Sequence, residues 1–204
     1  RRKKGTYDLL TGEAKVFDAA ISTDVPGLDV VPSTVDLAGI ELELIDMERR
    51  EYRLRDALAG GGGDYDYILV DCPPSLSLLT LNGLVAADAV LVPLQCEFFA
   101  LEGLTHLLKT IERVRQSLNP TLELQGVVLT MADTRNNLTN MVASDVRDFL
   151  GSKVYDTIIP RNVRVSEAPS HGKPVLLYDF KCPGSQAYIQ LAREVIKREE
   201  ARVA

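Results

Sequence analysis

Tyr65-Asp66-Tyr67-Ile68-Leu69-Val70-Asp71-Cys72-Pro73-Pro74 is the stretch on which the fold turns. Four apolar residues, Tyr67 to Val70, run into a carboxylate and then two prolines. Continuous rather than alternating apolarity suits a strand buried on both faces, as in a parallel sheet. Pro73 and Pro74 end the strand and hold the next turn extended. Such a strand delivers Asp71 rigidly to one end of the sheet.

The rest of the chain repeats the strand-then-helix alternation. Apolar runs rich in Val, Ile and Leu predict strands at Leu28–Pro32, Ala89–Pro93, Gly126–Thr130 and Val154–Ile159. From Leu101, apolar residues at Leu104, Leu107, Leu108, Ile111, Val114 and Leu118 form one stripe of an amphipathic helix, stopped by Asn119-Pro120. A second helix is expected over Asn137 to Leu150, closed by Gly151 as a C-cap. A last helix should run from about Ser185 to Glu200, and Gly60–Gly63 should be a flexible loop between a helix ending near Leu58 and the strand at Tyr67. Alternation of this kind predicts an α/β domain with a mostly parallel twisted sheet and helices on both faces, a single domain over residues 1–204.

Composition narrows the function. With 25% charged and 46% hydrophobic residues, the chain has the make-up of a soluble globular protein. No apolar run approaches the ~18 residues of a membrane span. No apolar segment follows Arg1-Arg2-Lys3-Lys4-Gly5, so a signal peptide is not expected. Cys72, Cys96 and Cys182 show no CxxC spacing, which fits a reducing cytoplasm and speaks against a disulfide framework or a zinc site. The net charge of −6 excludes DNA binding by the whole surface, so any DNA contact must come from a local patch.

In open α/β sheets ligands bind outside the carboxyl ends of the strands. The residues there are Asp71-Cys72-Pro73-Pro74, Gln95-Cys96-Glu97, Met131-Ala132-Asp133-Thr134-Arg135 and Pro160-Arg161-Asn162. A fixed carboxylate at Asp71 is what a nucleotide site needs to hold Mg²⁺, usually through water. The same Asp would also serve as a cap on a turn or on the next helix. His171 and His106 lack an evident acid partner and read as structural or surface residues, and Cys72 as a half-buried small residue rather than a nucleophile.

Four segments carry a family resemblance. Tyr65 through Leu76 resembles the Walker B segment of the ParA/Soj/MinD group of deviant-Walker ATPases. Leu91-Val92-Pro93-Leu94-Gln95-Cys96-Glu97-Phe98-Phe99-Ala100-Leu101-Glu102-Gly103 is similar to the next strand-to-helix junction of the ParA/Soj branch. Ile159 through Pro174, which contains Pro160-Arg161-Asn162-Val163-Arg164, resembles a long signature of that branch, and Thr130-Met131 with Asp133, Arg135 and Asn137 is a fourth match. They occur in family order and span nearly the whole chain.

The resemblance implies a P-loop NTPase-like fold and a partition ATPase that uses ATP and Mg²⁺. Such an enzyme dimerises on ATP, binds DNA non-specifically as a homodimer, and answers to a ParB-type centromere-binding partner. It would act in the cytoplasm on the nucleoid, without a membrane. Asp71 would be the catalytic and metal-holding Walker B carboxylate. Met131, Pro160, Arg161 and Asn162 would surround adenine and ribose. Arg135 and Arg164 would contact DNA, with Lys173 and Lys181 able to widen the patch. Read without the resemblance, the two arginines are solvated loop charges or partners for Asp133 and Glu167.

A P-loop of the form G-x-x-x-x-G-K-[ST] is not among the 204 residues. Gly172-Lys173 runs into Pro174, and Gly60–Gly63 precedes a strand rather than following one. The family's opening βαβ unit is therefore expected to be lacking. The first family-like segment is Gly5-Thr6-Tyr7-Asp8-Leu9-Leu10, and the chain by itself is expected not to hydrolyse ATP at a useful rate. The absence of an initiator Met suggests a fragment, a processed form or an incomplete gene model.

Three rivals remain open. A MinD-like membrane-associated ATPase would want a C-terminal amphipathic helix with a basic face, whereas this chain ends Arg198-Glu199-Glu200-Ala201-Arg202-Val203-Ala204. An iron–sulfur relative would need cysteine ligands at cluster spacing. A P-loop-less, non-enzymatic binding module would need neither. The opening Arg1–Lys4 run could touch DNA but reads more simply as a solvated loop.

Overall fold

The computed structural model describes residues 4–63, 65–73, 75–133 and 135–203. Arg1 to Lys3, Pro74 and Thr134, on which parts of the sequence reading fall, lie outside the described residues. The chain divides into two compact units, Arg1–Ala89 with Ile111–Glu123, and Val90–Thr110 with Leu124–Ala204.

The first unit holds α1 (Thr6–Thr11), α2 (Val16–Ala19), β1 (Ile21–Ser22), β2 (Asp29–Val30), α3 (Ile40–Leu44), α4 (Arg53–Ala59) and α5 (Leu78–Ala86). Leu10, Ile40, Leu44 and Leu54 are its buried apolar centre, with Leu78, Leu79 and Ala86 of α5 packed against them. Two buried amides tie its pieces together. Asn82 on α5 accepts the Leu54 N–H at 3.1 Å and donates to the Arg50 and Leu78 carbonyls at 2.8 and 3.0 Å. Asn119 donates to the Leu84 and Ala87 carbonyls at 3.0 and 2.8 Å. It therefore does more than stop the preceding helix: it satisfies the end of α5, which would otherwise leave buried carbonyls unpaired.

Two strand expectations need correcting here. Tyr67–Val70 forms no strand and has no ladder partner among the described residues. Its side chains stay open to solvent, Leu69 at 90%. An apolar run expresses a demand for burial, but a strand also needs a neighbour to take its N–H and C=O groups. Leu28–Pro32 narrows to β2, which pairs antiparallel with β1, Ile21 opposite Val30. It is therefore not part of the parallel sheet.

The second unit is built on β3 (Ala89–Gln95), β4 (Glu123–Ala132) and β5 (Val154–Pro160), in the order β3-β4-β5. The crossovers are α6 (Ala100–Ser117), whose last turns belong to the first unit, and α7 (Asn137–Leu150). α8 (Val163–Glu167), α9 (Val175–Tyr178) and α10 (Pro183–Val203) follow. α7 has the bounds the sequence predicts. Asn136 caps its start by accepting the Leu138 N–H at 3.0 Å, and Gly151 at φ 55° ends it.

Alternation along β4 divides its residues between two cores. Val127 and Leu129 pack with Val92, Leu104, Val142 and Val146, the side covered by α6 and α7. Val128 packs with Tyr155, Ile159 and Leu191, the side covered by α10. Helices thus cover both faces, as expected.

The β4–β5 pairing is parallel and twice irregular. Val127 lies opposite Val154 and Leu129 opposite Ile158, so β5 spends two extra residues. Inside that bulge Tyr155 is fully buried, and a Cβ on Gly126 would stand 2.7 Å from its ring. Only glycine allows β4 to approach so closely. The bulged amides of Asp156 and Thr157 both donate to the Glu194 carboxylate of α10, each at 2.9 Å. Arg198 pairs with Glu194 at 2.7 Å, donates to the Ser152 and Val154 carbonyls, and lies 4.0 Å over the Tyr155 ring. Burial pushes the Glu194 carboxyl up, but the Thr157 hydroxyl, the two amides and Arg198 outweigh it and hold the group below its ordinary 4.5. The second irregularity, between Leu129 and Ala132, sits on β4 and leaves Met131 at φ 51°. An extra residue in the left-handed region is usually glycine.

Glu194→Gln should cost about 2 kcal/mol in denaturant unfolding, the scale of charge-assisted hydrogen bonds to a buried group. Because the folded carboxyl is held low, the wild-type advantage is complete above pH 4.5 and disappears as pH falls through the lower folded value. An undiminished difference in acid would contradict this assignment. Met131→Gly should raise stability by about 1 kcal/mol by releasing left-handed strain, whereas Met131→Val should lower it by at least as much. Thermal melts of the two variants give the comparison.

Candidate functional site

The parallel pairing places the carboxyl ends of β4 and β5 side by side. Ala132 lies opposite Pro160, and the Arg161 N–H donates to the Ala132 carbonyl at 3.0 Å. Met131, Pro160, Arg161 and Asn162, separated by some thirty positions in sequence, are thereby brought together. Met131 is 39% exposed, and its left-handed backbone turns the strand at its last residues. Arg161 is exposed and Asn162 half-buried. The Asn162 side-chain oxygen accepts the Arg164 N–H at 2.9 Å and caps α8, which leaves the amide nitrogen as its remaining donor.

Asp71 belongs to the first unit. It is exposed, in an irregular segment beside the exposed Cys72 and Pro73. The Cys72 sulfur packs over Gly83, where a Cβ would come within 2.8 Å of it. Burial, and then the Asp71 charge, push the Cys72 thiol up and disfavour the thiolate. The raised thiol agrees with Cys72 not being a nucleophile, but the residue is exposed and not half-buried as expected, because the segment that carries it forms no strand.

These residues suit a purine nucleotide. A thioether and a proline ring offer flat apolar surface to a base, and Asn162 and Arg161 offer donors beside it. Among the described residues no group of three His, Cys, Asp or Glu side chains could hold a metal.

The two arginines are both paired. Arg135 grips Asp133 with Nε at 2.9 Å and Nη2 at 2.8 Å, and its own N–H bonds the same carboxylate at 3.1 Å. These hydrogen bonds hold the Asp133 carboxyl down at about 2. Arg164 pairs with Glu167 at 2.9 Å and, more loosely, with Asp179 at 3.5 Å. Tyr178 donates to Glu167 at 3.3 Å, and His171 stacks on Tyr178 at 4.8 Å. His171 thus has a structural place, as expected. Lys173 and Lys181 are exposed.

The sequence reading passed over the residues that support this end of the sheet. A Cβ on Gly184 would stand 3.4 Å from that of Asn162 and closer still to Val165, so the start of α10 meets α8 only through glycine. The fully buried Ser185 hydroxyl lies 2.6 Å from the Asp179 carbonyl and 3.1 Å from that of Val175. Cys182-Pro183-Gly184-Ser185 announces a helix start by its proline, but nothing in it announces the contacts.

Comparison with known proteins fits this geometry. Residues 1–124 match the family model described as AAA domain. The chain is 66% identical over 206 aligned positions to the chromosome partitioning protein ParA of Caulobacter vibrioides, covering 100% of this chain and 77% of that protein. It is 52% identical over 189 positions to the sporulation initiation inhibitor protein Soj of Bacillus subtilis, covering 93% of this chain and 75% of that one. Among solved structures, cobyrinic acid a,c-diamide synthase of Mycobacterium smegmatis with bound ADP and magnesium superposes with a TM-score of 0.81 at 37% identity, over 96% of this chain and 72% of that one. With identity this high sustained over nearly the whole chain, the chain belongs to the ParA/Soj family of chromosome-partitioning ATPases.

Proposed function

We propose that this chain carries the base-binding wall and the DNA-facing loops of a partition ATPase. Residues 1–204 belong to one P-loop NTPase-like domain. It takes ATP with Mg²⁺, dimerises on the nucleotide, binds DNA without sequence preference and works with a ParB-type partner in the cytoplasm, on the nucleoid. The observation that carries this reading is the pairing of Ala132 with Pro160, which gathers Met131, Pro160, Arg161 and Asn162 at the carboxyl end of the sheet. A crevice at that end is where open α/β sheets hold ligands. The solved relative with bound ADP and magnesium supports the choice of nucleotide.

Asp71 is the Mg²⁺-holding and catalytic carboxylate, and Arg135 and Arg164 are the phosphate-facing cations for DNA. When bound, Mg²⁺ neutralises charge on the nucleotide phosphates. Asp71 would hold the ion's water, Met131 and Pro160 the base, and Arg161 and Asn162 the ribose side. The chain offers the base a wall, but among its 204 residues there is no Gly-rich, Lys-containing loop for the phosphates.

Binding energy here should therefore come from the base and not from the phosphates. Adenosine should compete with a fluorescent ATP analogue about as well as ATP does. Competition by inorganic triphosphate but not by adenosine would sink the base-wall assignment.

A further inference from the structure

We propose that Asp133 and Glu167 are positioning residues that hold the two DNA-facing arginines and compete with phosphate for them. The inference rests on the DNA reading above and deepens it. Each arginine is met by a nearby carboxylate: Asp133 lies two residues before Arg135, just past β4, and Glu167 lies three residues after Arg164 on α8. The Arg135 side chain is 88% exposed, yet Asp133 takes it in a two-toothed grip and also binds its backbone N–H. Glu167 takes Arg164 at 2.9 Å and is itself fixed by the Tyr178 hydroxyl, with Asp179 as a second, looser acid at 3.5 Å.

A long, exposed arginine side chain samples many rotamers, and a fixed carboxylate removes most of that freedom before DNA arrives. The same carboxylate cancels the charge that attracts phosphate. Phosphate must then exchange with carboxylate at each arginine. Exposed ion pairs are weak, so the exchange is possible but reduces the gain at every contact. One chain's grip on DNA is accordingly kept low. A firm hold requires several such contacts at once, as two linked copies would supply.

Binding of a labelled duplex of arbitrary sequence, followed by fluorescence anisotropy across a salt series, tests this. Glu167→Gln and Asp133→Asn should each tighten binding roughly two- to five-fold. The slope of log K against log salt should steepen by up to about one, because one more uncompensated cation meets the phosphates. Glu167→Asp, which keeps the charge, should behave as wild type, and Arg164→Ala should weaken binding. Asp133→Asn retains an oxygen for the Arg135 N–H, so the turn is preserved, and melting temperatures identify any variant that fails to fold.

If Arg164→Ala weakens binding while neither neutralised acid tightens it, the competition is wrong and the DNA reading survives. If Arg135→Ala and Arg164→Ala both leave binding unchanged, or if neither the wild type nor any variant binds, both readings fall.

Discussion

The free edge of β5 is held by one acidic side chain. Two extra residues between Val154 and Ile158 throw the backbone out of register with β4 and turn two successive amides toward α10. Left bare, the part-buried Thr157 amide would cost about 1–3 kcal/mol and the two together would present an edge to other chains. Glu194 takes both, and Arg198 neutralises Glu194 while covering the Tyr155 ring and bonding the carbonyls of Val154, in the strand, and Ser152, just before it. A half-buried carboxylate is costly unless it is paired and hydrogen-bonded, and here it is both. Everything beyond the bulge depends on this clamp. Pro160 meets Ala132 after β4 in turn spends one extra residue of its own, and Asn162 caps α8 just past that point.

Elements of the second unit were legible in the sequence because each satisfies its own pattern locally. α7 has an apolar stripe, a capping Asn136 and a closing Gly151, and its bounds came out as expected. β3, β4 and β5 grew by a few residues at their ends, where apolar pattern fades but backbone pairing continues. Tyr67–Val70 failed for the complementary reason. Its residues state a preference for burial as strongly as those of β4, yet strand formation is a property of two segments and composition describes one. The same limit hid the bulge in β5: period-two alternation predicts which face a residue takes but not how many residues its neighbour spends over the same distance.

The candidate site was legible as types of residue and not as backbone geometry. Reading the residues just after each strand found Met131 and Pro160-Arg161-Asn162, since parallel strands must end on the same side. No sequence signal marks Met131 as left-handed, because that region is ordinarily reserved for Gly, Asn or Asp. The Gly184 contact with α8 was likewise invisible, since a glycine near a helix start is usually read as a cap. The partners of Arg135 and Arg164 were visible as spacings of two and three residues, and they are the pairs the structure contains.

A chain of net charge −6 can approach DNA only if charge is counted locally. At physiological salt the screening length is about 8 Å, so distant acids hardly matter and near ones decide. Counted as ion pairs, Arg135 with Asp133 is neutral and Arg164 with Glu167 and Asp179 is negative, while Arg161, whose charge also reaches Asp133, adds a cation. The two arginines that resemble DNA contacts therefore offer little free positive charge of their own as they stand. What they offer is geometry: guanidiniums already held in an orientation where phosphate can replace carboxylate. Such a surface binds weakly through one copy and steeply through several, because each exchange yields little and the gains add only when contacts are made together. Under the proposed DNA role, weak individual contacts of this kind suit hold and release better than a permanently basic face.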